Sequence, residues 1–463
     1  MFRTKRSRLA ASVAAAAVLG TGGALAVASM ALAHNDPAPS PAASGKPADP
    51  TGGATFLAAV LEGRNEVPVA GGPAVGDPDG QAIELLRIKG NQVSFAISWR
   101  NLGPITAGHI HAGAAGTNGA VQVPFFGTGL SDPSLHAATG SVTVSDSTLL
   151  TNLATNPGNF YANLHTTEFP GGAVRGQLHK LAHPVDLTSV LRGGPLTGLL
   201  AGDQEVPVAG GPAVGDPDGH ASAFVGTRDG WLDYSFTWSG IGAPTNGHIH
   251  QNTVGLNGPV VVPLFAAQGG LPTSVNGVAG SVKVDSGDLL RRIASKPNGF
   301  YANLHTAEFP GGAVRGQLFR AGQQWDAFGQ GSFVASVVQG EQIYQCTRQS
   351  DGTTAFTQHN VSALLQRGIA HSFVQNDAGP PQWVARDGSA VTGKVLVKSP
   401  NGSANIAELD LDATQTGQPT GLLANTVEIL RLNTVGGVAP AGACTPGAIA
   451  RVPYKADYLF VNA

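Results

Sequence analysis

Hydrophobic and polar side chains alternate at period two along several short stretches of the chain, which is the pattern of half-buried β-strands. Residues 93–99 carry Val, Phe, Ile and Trp at alternate positions, and residues 232–238 carry Leu, Tyr, Phe and Trp in the same arrangement. Further strands are predicted at 56–61, 82–88, 121–126, 141–144 and 160–165. Short strands at this spacing are typical of a β-sandwich or barrel.

Three blocks of sequence occur twice, in the same order. They are EVPVAGGPAVGDPDG at 66–80 and 205–219, GHIH at 108–111 and 247–250, and FYANLHTTEFPGGAVRGQL at 160–178, which returns at 300–318 with one substitution. The sequence between the blocks has diverged but keeps its hydrophobic alternation. We therefore expect two repeated β-domains, at 54–181 and 196–321, and a further β-rich domain at 325–463.

Composition and charge exclude several classes of protein. Charged residues make up 12% of the chain, against roughly 25% in an average soluble protein, and there are 64 glycines and 31 prolines. Long charged helices and coiled coils are therefore excluded. The formal net charge is −3, and it falls to about −7 without the four cations among residues 2–8. This balance argues against nucleic acid or an anionic membrane surface as a partner.

The N-terminus has the three parts of a secretory signal peptide. Residues 2–8 hold four positive charges, residues 9–33 are almost wholly apolar, and the Ala-Leu-Ala at 31–33 offers a cleavage pattern. We expect residues 1–33 to be removed, leaving a Pro/Ala-rich linker at 34–53. No later stretch reaches the 18 or so uncharged apolar residues of a membrane span. The mature protein is expected to be secreted, either extracellular or associated with the cell surface.

The chain contains two cysteines, Cys346 and Cys444, both in the last third. An exported chain keeps a pair of thiols oxidised, so we predict one disulfide between them. The wide spacing favours a structural bridge, because redox motifs place their cysteines close together.

The blocks NEVPVAGGPAVGDPDG, GHIHAG and FYANLHTTEFPGGAVRGQL resemble the chordin (CHRD) domain. This family occurs in the animal growth-factor antagonist chordin and in many microbial secreted proteins. The resemblance implies two domains of the immunoglobulin-like β-barrel or sandwich type. Chordin's antagonism is attributed to cysteine-rich modules that this chain lacks, so the resemblance implies a fold and no particular activity.

The last domain carries YQC, PQWVARDGS, RLNTVGGVAPAGAC and VPYKADYLF, which resemble a bacterial secreted family of unknown function. The expected fold class is therefore all-β, with two immunoglobulin-like repeats and a third β-rich domain. No nucleophile, base and orienting residue occur in this domain at a recognisable spacing. Its alternating ELDLD segment predicts a solvated strand face bearing Asp410 and Asp412.

Six of the thirteen histidines lie in the duplicated blocks. His109 and His111 are two apart and point to one face of a strand, while His165 lies on a second strand. If the two strands meet, three imidazoles converge, which is a donor set for Zn(II) or Cu(II). The second repeat offers His248, His250 and His305. The alternative is a structural role in which these histidines bond to the backbone.

Acidic residues in the blocks add further candidates. Glu168 and Glu308 follow the third histidine of each set by three residues, and can supply a fourth ligand or an outer hydrogen-bond partner, or pair with Arg175 and Arg315. Glu66 and its copy Glu205 precede Val-Pro, where a carboxylate either discourages association between sheets or serves as a ligand.

Two functions from different classes follow from these observations. The first is a secreted, non-catalytic modular protein that binds a protein partner or a cell-surface polymer, with a three-histidine copper or zinc site in each repeat. The second is an extracellular copper or zinc metalloenzyme that uses the same histidines. The first is favoured, because an enzyme needs an open coordination position and a general base that the sequence does not supply securely.

Overall fold

The structure is a computed structural model that describes residues 53–191, 193–320, 331–377 and 379–462. The predicted signal peptide at 1–33 and nearly all of the linker at 34–53 lie outside these ranges. Within them, no helix has the length and apolar character needed to cross a bilayer.

The first repeat folds into two antiparallel layers around a shared core. Its strands are β1 (Thr55–Glu62), β2 (Gln81–Lys89), β3 (Gln92–Arg100), β4 (Ile105–Ala112), β5 (Val121–Phe126), β6 (Leu135–Thr143), β7 (Phe160–Thr166), β8 (Val174–Gln177) and β9 (His179–Lys180). One layer contains β1, β2, β3 and β6, and the other contains β5, β4, β7 and β8. Alternate residues such as Leu57, Phe95 and Leu164 fill the core between the layers. The predicted β-sandwich is confirmed.

The second repeat has the same architecture. Its strands are β10 (Leu196–Ala201), β11 (His220–Arg228), β12 (Trp231–Ser239), β13 (Pro244–Gln251), β14 (Val260–Ala266), β15 (Val275–Lys283), β16 (Phe300–Thr306) and β17 (Val314–Arg320). Each repeat also has one short helix, α1 (Ser147–Thr155) or α2 (Gly287–Ser295). Asp146 caps α1 and Ser286 caps α2 by accepting backbone N–H groups of the first turn.

The two repeats are joined through their edge strands. Strand β6 pairs with β15 in antiparallel register, and Ala138 lies opposite Val278, the matching position of the other repeat. The flanking hydrogen bonds are reciprocal, since Ser134 Oγ donates to a backbone carbonyl of the second repeat at 2.8 Å and Ser274 Oγ donates to one of the first at 2.7 Å. This local two-fold arrangement covers two edges that are otherwise open to association.

The C-terminal domain is a closed eight-stranded barrel. Its strands are β18 (Phe333–Arg348), β19 (Thr354–Leu365), β20 (Ile369–Phe373), β21 (Pro381–Val384), β22 (Ala390–Ser399), β23 (Glu408–Gln415), β24 (Thr426–Gly436) and β25 (Ile449–Asn462). Aromatic side chains such as Trp383, Tyr458 and Phe460 form its core. The predicted disulfide joins Cys346 and Cys444, whose Cα atoms are 5.9 Å apart.

The barrel packs against the outer face of the first repeat. Phe56 and Leu85 belong to the same buried cluster as Leu459 of β25. Beside this apolar contact, Arg64 donates to Asp457 at 3.2 Å. The first repeat is thus covered on a face that β1 and β2 would otherwise expose.

The face of β23 that bears Asp410 and Asp412 is not fully solvated, which corrects the expectation from the ELDLD pattern. His183, in the segment between the repeats, lies with its Nε2 2.8 Å from Asp412 Oδ1. Glu428 on the neighbouring strand β24 accepts the backbone N–H groups of Ala182 and His183 at 2.9 and 3.0 Å. Burial is the largest cause that raises the pKa of Asp410. The alternating pattern identifies which face of the strand is polar. It does not show whether another segment, here more than 200 residues away in sequence, packs on that face.

Glu84 on β2 lies in the core of the first repeat with no exposed surface. Its Cα partners are Ala59 and Ile97, both core residues, and neither of its carboxyl oxygens has a hydrogen-bond partner within the described residues. Burial raises the pKa of Glu84 well above its ordinary value. The matching position of the second repeat is Ala223, so the fold does not require an acid there.

Replacing Glu84 by leucine should therefore stabilise the full chain, by roughly 1–3 kcal/mol, the cost of an unpartnered buried polar group. The gain should grow as pH rises above about 4.5, because the unfolded chain then loses the proton that the folded chain retains. Denaturant unfolding at pH 5 and pH 8 measures both effects. Glu168→Leu, at an exposed position, is the control. A gain equal at the two pH values would contradict the burial of an acid.

A paired three-histidine site

The duplicated blocks come together on one face of each repeat. Strand β4 carries the GHIH block and pairs with β7 of the third block, so that His109 lies opposite Asn163. The loop of the first block joins them, because Gly171 N donates to the carbonyl oxygen of Ala74 at 3.0 Å. Residues that are far apart in sequence, and identical between the repeats, thus form one structural unit.

The structure brings the predicted histidines together in two sets, which are His109, His111 and His165, and His248, His250 and His305. Within each set the possible ligand nitrogens lie within 4.8 Å of one another. His248 Nδ1 is only 3.1 Å from His305 Nε2. Nitrogens that share an ion at about 2.0–2.1 Å are at most about 4.2 Å apart, so small ring rotations would complete a metal site. Ile110, between the two histidines of β4, is buried on the opposite face, as its spacing predicts.

Backbone carbonyl groups fix the ring protons of two histidines in each set. A carbonyl oxygen only accepts, so Nδ1 of His111 donates to Gly119 O and Nδ1 of His165 donates to Pro170 O, both at 3.0 Å. The second repeat has the same bonds, from His250 to Gly258 at 2.9 Å and from His305 to Pro310 at 3.1 Å. The Nε2 atoms are left as acceptors, a common arrangement for metal-binding histidines.

Burial keeps all six imidazoles neutral. Desolvation is the largest cause that lowers the pKa of each one, and it acts together with repulsion from the other two histidines to bring the pKa of His109 and of His248 to about 4. Neutral imidazole is the form that donates its lone pair to a metal ion. Both sets are therefore uncharged at neutral pH. In the second set His248 Nδ1 donates to His305 Nε2, so a metal ion would have to displace the proton between these two nitrogens.

Comparison with known families settles the identity of the repeats. The model described as "CHRD domain" matches residues 57–178 and 196–318, which together make up more than half of the chain. The chain belongs to the CHRD-domain family. The model described as "Protein of unknown function (DUF3455)" matches residues 358–462, within the C-terminal barrel. No curated protein and no solved structure matches the chain.

A buried aromatic and cationic stack supports the histidines of each CHRD domain. The Tyr161 ring stacks on His111 at 4.8 Å, and the Arg175 guanidinium lies 3.4 Å from the Tyr161 ring centroid. Arg175 also donates to Asn118 Oδ1 and to two backbone carbonyl groups of the loop between β4 and β5. The second CHRD domain repeats this stack with His250, Tyr301 and Arg315. Sequence reasoning missed the two tyrosines and named the two arginines only as partners for Glu168 and Glu308, although the identity of all four residues in both repeats was the signal.

Glu66 belongs to this unit and is not an edge-strand charge. Its Oε2 accepts from Asn163 Nδ2 at 3.3 Å, and burial raises the pKa of Glu66 to about 7 while Arg175 acts to lower it. Gly172 makes room for the carboxylate, since a Cβ there would lie 2.5 Å from Glu66 Oε1 and its φ is +135°. The second CHRD domain has the same contact, with Asn303 Nδ2 2.8 Å from Glu205 Oε1.

Glu168 and Glu308 are exposed and do not belong to either histidine set. The carboxylate that Arg175 faces electrostatically is Glu66, and Arg315 faces Glu205. The acid that lies near the third histidine in the fold is thus Glu66, which belongs to the first block about 100 residues upstream, and not Glu168, which is nearest in sequence. Distance along the chain does not identify the partner, because the two residues meet only when the loop folds over β7.

The arrangement offers three neutral nitrogen donors in each CHRD domain. In the first domain, five buried polar atoms of this unit have no hydrogen-bond partner among the described residues: His109 Nδ1, His111 Nε2, His165 Nε2, Asn163 Oδ1 and Glu66 Oε1. Buried polar atoms are rarely left without a partner, so these atoms are available to bond to a water molecule or a ligand. Three imidazoles leave a further position on a metal ion open to a small ligand.

Proposed function

We propose that this CHRD-domain protein is an exported modular binding protein in which each CHRD domain holds one divalent transition-metal ion. Zn(II) and Cu(II) suit the three-imidazole donor set of His109, His111 and His165, and of the corresponding set in the second repeat. The observation that carries the proposal is the convergence of three neutral histidines with unpartnered, buried nitrogens in the first domain.

Several features support the rest of the proposal. The signal-peptide pattern at 1–33 and the disulfide suit export, with CHRD domains at 54–181 and 196–321 and the barrel domain at 325–463. Duplicated domains with equivalent sites suit binding through more than one contact to a protein or a cell-surface polymer.

The copper or zinc metalloenzyme is the second candidate. It is favoured by Glu66, an acid in the same unit whose raised pKa of about 7 suits a general base.

The full mature chain should bind two equivalents of Zn(II) or Cu(II), measured by titration and by metal analysis after dialysis. His111→Ala should bind one equivalent, and the double variant His111→Ala with His250→Ala should bind none. Loss of a ligand commonly costs orders of magnitude in affinity, since the remaining pair holds the ion poorly. His220→Ala, at an exposed histidine outside both sets, is the matched control and should bind two. Unchanged stoichiometry in the double variant would return these histidines to a structural role.

A further inference from the structure

The amide of Asn163 lies beside the histidines with one end unpartnered. Asn163 is the Cα partner of His109 and shares the strand face of His165, two residues further on. It is 4% exposed, and within the described residues its Oδ1 has no hydrogen-bond partner. Asn303 of the second CHRD domain is 3% exposed, and its Oδ1 is unpartnered in the same way. Both CHRD domains thus have the same buried acceptor beside their histidines.

Glu66 determines which atom of the Asn163 amide remains without a hydrogen-bond partner. Above its pKa of about 7, Glu66 is a carboxylate that only accepts hydrogen bonds, so it holds Asn163 by the amide nitrogen, at 3.3 Å, and leaves Oδ1 as the acceptor. Glu205 holds Asn303 in the same orientation, at 2.8 Å. Turning the amide over would set Oδ1 against the carboxylate oxygen, which is repulsive. The glutamate therefore acts through the asparagine as a positioning residue.

The nearby cation directs its hydrogen bonds to a loop and not to Asn163, although its charge also acts on His111. Arg175 is 2% exposed, and three of its N–H groups donate to Asn118 Oδ1 and to the carbonyl oxygens of Ala114 and Thr117. Arg315 has the equivalent bonds in the second CHRD domain. The guanidinium thus stabilises its own loop, and the polar groups left beside the histidines are acceptors.

We infer that the open position of each metal ion takes a neutral ligand that donates a hydrogen bond, such as water, an alcohol hydroxyl or an amine, and discriminates against anions. Asn163 and Asn303 accept a hydrogen bond from the ligand through Oδ1, and Glu66 and Glu205 hold the amides in the orientation that allows it. The inference rests on the metal site proposed above. A site built to accept a hydrogen bond discriminates strongly against a ligand that brings none, because the buried acceptor is then left unpaired.

The test uses the full chain loaded with Co(II) at pH 8.5, because the visible spectrum of Co(II) reports ligand exchange. Azide is the anionic probe, and imidazole is the neutral probe that donates an N–H group. In the variant Glu66→Gln with Glu205→Gln, the amide of glutamine can donate to Asn163 Oδ1, so that the asparagine presents its N–H group to the metal ligand instead. Azide should then bind at least about tenfold more tightly than to the wild type, and imidazole more weakly. Glu168→Gln with Glu308→Gln, exposed acids of the same blocks, should match the wild type.

A second variant, Asn163→Ala with Asn303→Ala, removes the acceptor directly and should also relax the discrimination against azide, which keeps the test open if the glutamine variant fails to fold. Equal azide affinity in the wild type and in these variants, with two Co(II) bound in each, would overturn the inference and leave the metal site intact. Absence of bound Co(II) from the wild type would overturn the proposed function itself, and the inference with it.

Discussion

Replacing Arg175 by methionine should lower the free energy of unfolding of the first CHRD domain by about 3–5 kcal/mol, the range observed when one partner of a buried charged contact is removed. The substitution leaves Asn118 Oδ1 and two backbone carbonyl groups without their donor, and removes a cation from the face of the Tyr161 ring at 3.4 Å. Methionine keeps most of the apolar volume, so the effect reports the lost polar contacts.

Hydrogen exchange read by mass spectrometry measures this loss domain by domain. Protection should fall in β4, β7 and β8 of the first CHRD domain, while the equivalent strands of the second keep theirs. The bound metal should fall from two equivalents to one, because Arg175 fastens the loop whose Gly119 carbonyl orients His111. Arg291→Met, at a side chain that is 75% exposed on α2, is the control. A loss no greater than that of the control would contradict the role assigned to the stack.

Removing the disulfide by Cys346→Ala with Cys444→Ala should destabilise the C-terminal barrel by about 4.7 kcal/mol. The bridge closes a segment of 98 residues, and chain entropy assigns a loop of that length a stabilisation of this size. A hydrogen bond beside the disulfide supports a structural role for it, because Thr354 Oγ1 donates to Cys444 O at 2.8 Å and so connects the last long loop to β19.

The effect should be confined to the barrel. Denaturant unfolding of the double variant should show the barrel transition moved to lower denaturant, and the wild type should show the same shift after reduction. Metal stoichiometry at the histidine sets should remain at two in both cases. An unfolding profile that does not change on reduction would contradict a structural role for the bridge.

The sequence predicted the strands, and therefore the histidine sets, because period-two alternation determines both where a strand lies and which face a side chain takes. His109 and His111 could be assigned to one face, and the third duplicated block supplied His165. The three histidines were assigned to one site because the repeats share identical blocks separated by diverged sequence, and such blocks indicate residues that act together.

The rest of the site depends on contacts between distant segments, which no periodic pattern in the sequence predicts. Glu66 reaches Asn163 from a loop, across 97 positions of the chain, so the nearer Glu168 was the natural candidate and proved to be exposed. The pairing of β6 with β15 and the cover over Asp412 were missed for a similar reason. An edge strand and a solvated strand have the same pattern until another segment packs on them.

Anomalous diffraction from crystals of the full mature chain grown with Zn(II) or Cu(II) tests the central claim, one metal ion in each CHRD domain, most directly. The proposal predicts two strong anomalous peaks per chain, each about 2.0–2.1 Å from Nδ1 of His109 or His248 and from Nε2 of the other two histidines of the set. Peaks confined to other parts of the molecule, with none at either histidine set, would contradict it.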